Sequence, residues 1–165
     1  MSETISRTVT WHDPAATFAA HDGLDGLAFL EAIVRGDIPQ PPIAQSLDFR
    51  LVEVASGRAV FATEAQPFHF NPIGTVHGGL YGTVLDSCMS CAVHSTLEAG
   101  AGYTTVEYKV NIVRGLRPQD GVVRAEGTVV HRGRRIATAE GRIIGDGGRL
   151  FAHGTATCMI LDGAG

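Results

Sequence analysis

The amino-acid sequence predicts an α+β fold in which a curved antiparallel β-sheet wraps around one long central helix. Two strand candidates precede the long helical run, and four more follow it. The helical run is apolar around most of its circumference, which is typical of a buried helix. Turn signals containing glycine separate the later strands, which favours antiparallel pairing between neighbours. A sheet curved around the helix would bury both apolar surfaces.

The first 45 residues differ from the rest, and we interpret residues 1–45 as an N-terminal arm and residues 46–165 as the main domain. Residues 23–35 have the apolar spacing of an amphipathic helix. Gly36 ends this helix, and three prolines within residues 39–42 predict an extended connector. We expect the arm to pack on the main domain rather than to fold separately.

The main domain opens with a predicted hairpin of residues 47–54 and 58–65, joined by a Ser-Gly turn. A loop rich in proline, glycine and asparagine follows, and the long helix is then predicted from Gly78 to Glu98. The four later strands are predicted near residues 103–113, 121–131, 134–145 and 149–161.

The composition excludes several classes of protein. With 44% hydrophobic and 18% charged residues, the 165-residue chain can bury a core of ordinary size. The net charge of -4 argues against a nucleic-acid or anionic-membrane surface. No apolar run reaches the roughly 18 residues of a membrane span, and the first residues lack the features of a signal peptide. We therefore expect a cytoplasmic protein that binds neither nucleic acid nor membrane.

The three cysteines do not predict a disulfide or a metal site. Cys88 and Cys91 have C-x-x-C spacing, but they lie inside the apolar helical run and have no second pair elsewhere. Buried packing is the favoured interpretation. The histidines form no H-x-x-x-H or H-x-H set, so no metal is predicted.

The segment from Asn71 to Asp86 is the strongest candidate for a site. Gly78 and Gly79 open the long helix, where backbone N–H groups lack intrahelical acceptors. Asp86 follows about two turns later, too late for a helix cap, and an unpaired carboxylate is costly on a buried helix. Such N–H donors and a carboxylate suit attack on a carbonyl group. The glycines could equally serve a tight turn, and Asn71 alone could be only a turn residue.

A basic cluster lies at the predicted turn between the second and third of the later strands. It could be a solvated turn or a site for the phosphates of a large ligand, which Arg114 and Arg117 could join. Its members are His131, Arg132, Gly133, Arg134 and Arg135. The chain contains no G-x-S-x-G elbow, dinucleotide motif or P-loop.

The segment N-P-I-G-T-V-H-G-G-L-Y-G-T-V-L-D closely resembles the signature of hotdog-fold acyl-CoA thioesterases. The similar group is the phenylacetate-degradation (PaaI-like) type, related to 4-hydroxybenzoyl-CoA thioesterases. The likeness covers roughly residues 46–161. It implies the hotdog fold and hydrolysis of an acyl- or aryl-CoA to a free acid and CoA. No cofactor is implied, because coenzyme A is part of the substrate.

The resemblance also implies roles for individual residues. Asp86 would be the general base or the nucleophile, and the Gly78 N–H would hold the thioester oxygen, with Gly79 beside it in the substrate site. Asn71 and His77 would orient the thioester or the water.

The resemblance further implies that Thr105 positions the water, with Thr104 as the alternative. The family builds its site across a homodimer, with Asp86 of one subunit facing His77 and Gly78 of the other. Such dimers commonly pair into homotetramers.

Two other functions stay open from the sequence. A hydratase or dehydratase of the same fold uses a histidine with an acid, and His69-Phe70 faintly resembles its pattern, although the proline-glycine spacing that follows in that family is absent. A non-catalytic acyl-CoA-binding module would need no Asp86. The His77-Gly78-Gly79 motif favours the thioesterase.

Overall fold

The computed structural model describes residues 3–161 and contains one six-stranded antiparallel sheet around a central helix, which confirms the predicted fold. The outer ends of the predicted ranges 1–45 and 46–165 lie outside the described residues. The strands are β1 Phe49–Ala55, β2 Arg58–Glu64, β3 Gly102–Ile112, β4 Val122–Arg132, β5 Ile136–Gly145 and β6 Arg149–Leu161. Their order in the sheet is β1-β2-β4-β5-β6-β3, so β3 is an edge strand.

The helices differ from the predicted ones at several points. They are α1 Pro14–Ala19, α2 Gly26–Arg35, α3 Pro42–Leu47 and α4 Gly78–His94. Helix α3 was not predicted, and it begins at Pro42, the last proline of the predicted extended connector, because proline at the first helical position loses no hydrogen bond and fits the helical φ. No helix in the described part of the chain is long and apolar enough to cross a membrane.

Helix α4 ends four residues earlier than predicted. The hydroxyls of Ser95 and Thr96 donate to the carbonyls of Ala92 and Val93 and close the last turn. Helix α2 then docks at this end, where the Gly26 N–H donates to the Leu97 carbonyl at 2.9 Å. The part of the arm in α2 is therefore fastened to the C-terminal end of α4.

A row of glycines across the sheet brings α4 close to the strands. Gly127, Gly141 and Gly154 are register partners on β4, β5 and β6. A Cβ atom at Gly127 would lie 2.2 Å from the carbonyl oxygen of Cys88. The core fills the remaining space between α4 and the sheet, and its fully buried side chains include Val84, Leu85, Cys88, Met89 and Ala92.

We expect Gly127→Ala to lower the free energy of unfolding by about 3 kcal/mol, because the new methyl group would displace the backbone of α4. Gly115→Ala is the matched control, since no heavy atom lies within 4 Å of a Cβ at that position. There we expect a change of at most about 1 kcal/mol. Urea unfolding of both variants measures the difference, and equal losses would contradict the role of the glycine row.

Candidate active site

The start of α4 is organised by His77, which is the N-cap residue. Its Nδ1 accepts a hydrogen bond from the Gly79 N–H at 2.8 Å, so the neutral ring carries its proton on Nε2. The N–H of Gly78, the first residue of the helix, has no intrahelical acceptor. Within residues 3–161 the Gly78 N–H donates no other hydrogen bond. Gly78 rather than Gly79 therefore presents a free backbone donor.

The loop before the helix is held together by Asn71. Its Oδ1 accepts from the N–H groups of Ile73 and Thr75, each at 3.1 Å, and its Nδ2 donates to Thr75 Oγ1 at 2.8 Å. The His77 N–H donates to the His69 carbonyl at 2.8 Å and closes the loop. In the isolated subunit Asn71 thus organises the loop that positions His77. Its predicted orienting role toward the substrate stays a prediction.

Asp86 lies half-buried on the side of α4 that faces the edge strand β3. The Thr105 hydroxyl donates to Asp86 Oδ1 at 2.9 Å. Thr104, the alternative in the sequence, is exposed. Of the two threonines, Thr105 is the one that contacts the carboxylate, and its hydrogen bond orients the Asp86 side chain.

One face of α4, formed by Gly78, Gly82 and Asp86, packs along β3, and the two chain segments run in opposite directions. A Cβ at Gly78 would lie 3.5 Å from Ile112 Cδ1, and a Cβ at Gly82 would lie 3.3 Å from Tyr108 Oη. Asp86 continues this face beside Thr105. Eight residues separate Gly78 from Asp86, which is about 12 Å along a helix. Donor and carboxylate must both lie within about 3.5 Å of the reacting group, so one chain does not bring these two residues into one site.

A cavity of about 360 Å³ opens beside His77. This volume falls within the range of small-molecule sites. Its apolar walls are Leu47, Phe68, Phe70 and Leu80, and its polar lining is His69, His77, Gly79 and Thr83. Burial lowers the pKa of His69, and both of its ring nitrogens are engaged by backbone groups. His69 is therefore a neutral wall residue.

The basic cluster occupies the exposed turn between β4 and β5, and it lies near the Thr105 end of β3. Arg114 follows the other end of β3, about 30 Å away along the strand. Within one chain the structure therefore does not bring Arg114 to the cluster. In the described part of the chain, the ion pairs with carboxylates involve only Arg35, Arg58, Arg124 and Arg149.

The cysteines are packing groups, with Cys88 and Cys158 buried and Cys91 half-buried. All three are free, and burial raises the pKa of Cys91 to about 12, which disfavours the reactive thiolate. Among the described residues, no three His, Cys, Asp or Glu side chains are grouped so that they could hold a metal ion.

The sequence missed the residues that shape the surroundings of the site. Phe68 and Phe70 line the cavity, and the only signal for them was the pair of phenylalanines around His69. Tyr81 is buried and its Oη accepts from the Leu116 N–H at 2.6 Å, so it anchors the loop after β3 instead of lining this cavity.

Comparison with known proteins gives consistent matches. A family model described as Thioesterase superfamily matches residues 73–152. A candidate thioesterase from Ralstonia eutropha JMP134, a phenylacetic acid degradation-related protein, is 31% identical. The aligned region covers 79% of this chain and 98% of that chain, with a TM-score of 0.70.

Two further relatives are similar at lower identity. A mutant of the phenylacetic acid degradation protein PaaI from Thermus thermophilus is 27% identical, with a TM-score of 0.65 and coverage of 72% of this chain and 98% of that chain. Human acyl-coenzyme A thioesterase 13 is 29% identical over 109 residues, which are 65% of this chain and 76% of that protein.

Proposed function

Since this chain belongs to the thioesterase superfamily and is a thioester hydrolase, we propose that it hydrolyses an acyl- or aryl-coenzyme A to a free acid and CoA. The names of the relatives support coenzyme A as the carrier. The observation that carries the assignment is Asp86, held by Thr105 at a free sheet edge, on the same face of α4 as the free Gly78 N–H.

The separation of these two groups by about 12 Å supports a site shared between two subunits. Gly82 lies midway between Gly78 and Asp86 and faces Tyr108. A two-fold axis near Gly82 would pair two β3 strands in antiparallel fashion and place Asp86 opposite the partner subunit's Gly78. Each dimer would then contain two complete sites.

The surface at this edge suits such a dimer. Four apolar side chains on and just after β3 are 47–56% exposed, which leaves an apolar patch beside unpaired strand backbone. They are Val106, Tyr108, Ile112 and Val113. Pairing of two such edges would cover the patch. Assembly of dimers into homotetramers is a further expectation from the family resemblance, and a cytoplasmic location is an expectation from the sequence.

The same dimer would bring the arginines of the basic cluster and Arg114 of the partner subunit into one site. The basic cluster lies on the Asp86 side of its own subunit, and the proposed axis would bring the partner subunit's Arg114 toward it. The five N–H donors of each guanidinium match phosphate oxygens, and none of these arginines has a carboxylate partner in the described chain. We propose that they bind the phosphates of coenzyme A.

Two chemical routes fit the carboxylate. As a general base, Asp86 takes a proton from water, whose oxygen attacks the thioester carbon. The oxyanion accepts from the Gly78 N–H, and its collapse expels the CoA thiolate, which receives the proton. As a nucleophile, Asp86 forms an acyl anhydride with loss of CoA, and water then hydrolyses the anhydride.

Gly78→Pro tests the oxyanion donor without removing the helix start. Proline is favoured at the first helical position, and His77 already has the extended conformation required before proline, with φ -63° and ψ 136°. The substitution removes the N–H and adds the proline ring, and we expect kcat to fall by about 10²- to 10³-fold because the oxyanion loses its donor.

Gly78→Ala is the matched control, because it keeps the N–H and its Cβ makes an ordinary contact with Ile112 at 3.5 Å. A thiol-release assay over a panel of acyl-CoAs compares both variants with wild type. Equal activities of the proline and alanine variants would refute the donor role of Gly78, and no turnover of any acyl-CoA by wild type would refute the proposed substrate.

A further inference from the structure

An N-terminal segment outside the family-matched region contacts the wall of the cavity. Residues 3–13, which we call the strap, form no helix or strand and are mostly exposed. Within the strap, the Arg7 side chain reaches the cavity wall: its guanidinium carbon lies 3.7 Å from the centroid of the Phe68 ring. Arg7 Nη2 also donates to the Gln45 carbonyl at 3.1 Å.

These two contacts join separate parts of the cavity wall. Phe68 lines the cavity directly, and Gln45 belongs to helix α3, whose last residue, Leu47, lines it as well. Arg7 therefore adds a surface link between the short 3-10 helix that carries Phe68 and the helix that carries Leu47, beside the hydrogen bond of His69 Nε2 to the Leu47 carbonyl at 2.8 Å. The described chain shows no ion pair of Arg7 with a carboxylate, so its contacts there are the stack and this hydrogen bond.

Phe68 needs such support because little else holds its ring. The residue is 47% exposed, and the ring of His69 meets it edge-on with centroids 4.3 Å apart. Arg7 covers a face of the ring. A guanidinium over an aromatic face is attracted to the ring, so this contact favours the observed orientation of Phe68.

We propose that Arg7 is a positioning residue that sets the width of the acyl cavity and so limits the length of the acyl group that is accepted. This inference rests on the proposed acyl-CoA hydrolysis and on the cavity beside His77 as the acyl site. Loss of the guanidinium would free the Phe68 ring to move away from the cavity, while the hydrogen bond between His69 Nε2 and the Leu47 carbonyl would keep the backbone of the two walls joined. The cavity would then admit longer acyl chains.

The test is a series of straight-chain acyl-CoAs, from acetyl-CoA to dodecanoyl-CoA, with wild type and Arg7→Ala. For the longest substrates we expect kcat/KM to rise about tenfold in Arg7→Ala, while kcat for the preferred shorter substrate changes less than about twofold. Arg7→Lys keeps the cation but loses the planar stack, so its profile should lie between the other two. Arg35→Ala, which removes an arm arginine whose ion pairs among the described residues are with Glu31 and Asp37, should have the wild-type profile.

Two readouts do not depend on turnover. The single tryptophan of the chain, Trp11, lies in the strap, so its fluorescence anisotropy should fall when Arg7→Ala releases the strap. Calorimetric binding of non-hydrolysable alkyl-CoA thioethers of the same lengths should show the same shift toward longer chains. If wild type hydrolyses no acyl-CoA but the binding profile shifts, only the proposed function fails. If wild type and Arg7→Ala have identical chain-length profiles, the role of Arg7 is refuted, and binding of no thioether at all would refute both.

Discussion

Asp86→Asn is expected to lower kcat for thioester hydrolysis by about 10³- to 10⁴-fold. The amide has nearly the shape of the carboxylate but can neither take a proton from water nor form an acyl anhydride. Its oxygen can still accept the Thr105 hydroxyl bond, so the helix and the strand should keep their contact. Thiol release under saturating acyl-CoA measures the loss.

The control separates lost chemistry from lost structure. Coenzyme A should bind Asp86→Asn with nearly the wild-type affinity, because the phosphates are assigned to the arginines and not to Asp86. Asp146→Asn removes an exposed carboxylate in the turn before β6 and should leave turnover unchanged. Near-normal turnover by Asp86→Asn would remove Asp86 from the mechanism.

The general architecture could be predicted because each of its signals is local. The apolar circumference of α4 and the glycine turns between the later strands determine a helix wrapped by an antiparallel sheet, and the structure confirms this. The family resemblance of residues 71–86 is confirmed by the match to the thioesterase superfamily. Short helices such as α1 and α3, with six residues each, carry too little periodicity to be recognised.

The choice between Thr104 and Thr105 shows where local patterns fail. Strand β3 has a register shift between Thr105 and Glu107, opposite β6. An irregularity of this kind interrupts the alternation of side chains between the two faces of a strand. The sequence therefore could not determine which threonine faces α4, whereas the hydrogen bond to Asp86 does.

The separation of Arg114 from the basic cluster has a topological cause. Strand β3 pairs with β6 and lies at the opposite edge of the sheet from β1. The Thr105 end of β3 therefore lies near the turn between β4 and β5, and the Ile112 end, which Arg114 follows, lies near the start of α4. The order of the strands along the chain does not show which later strand pairs with β3. The position of Arg114 became interpretable only with the sheet order.

Mixing Asp86→Asn subunits with Gly78→Pro subunits should restore activity that neither variant has alone. In a mixed dimer with shared sites, one site combines both defects, while the other combines an intact Asp86 with the partner subunit's intact Gly78. Random pairing makes half of the dimers mixed, so an equimolar mixture that has been unfolded and refolded together should reach about a quarter of the wild-type activity.

The matched control places both defects in the same half of the site. Thr105 and Asp86 belong to one subunit and touch each other, so mixing Asp86→Asn with Thr105→Val creates no intact site. Its activity should stay at the mean of the two separate variants. If the activity of the Asp86→Asn and Gly78→Pro mixture also stays at the mean of its own two variants, Asp86 and Gly78 do not act across subunits. A chain that keeps them about 12 Å apart would then need a different oxyanion donor for Asp86, and the free N–H of Gly78 would lose its proposed role.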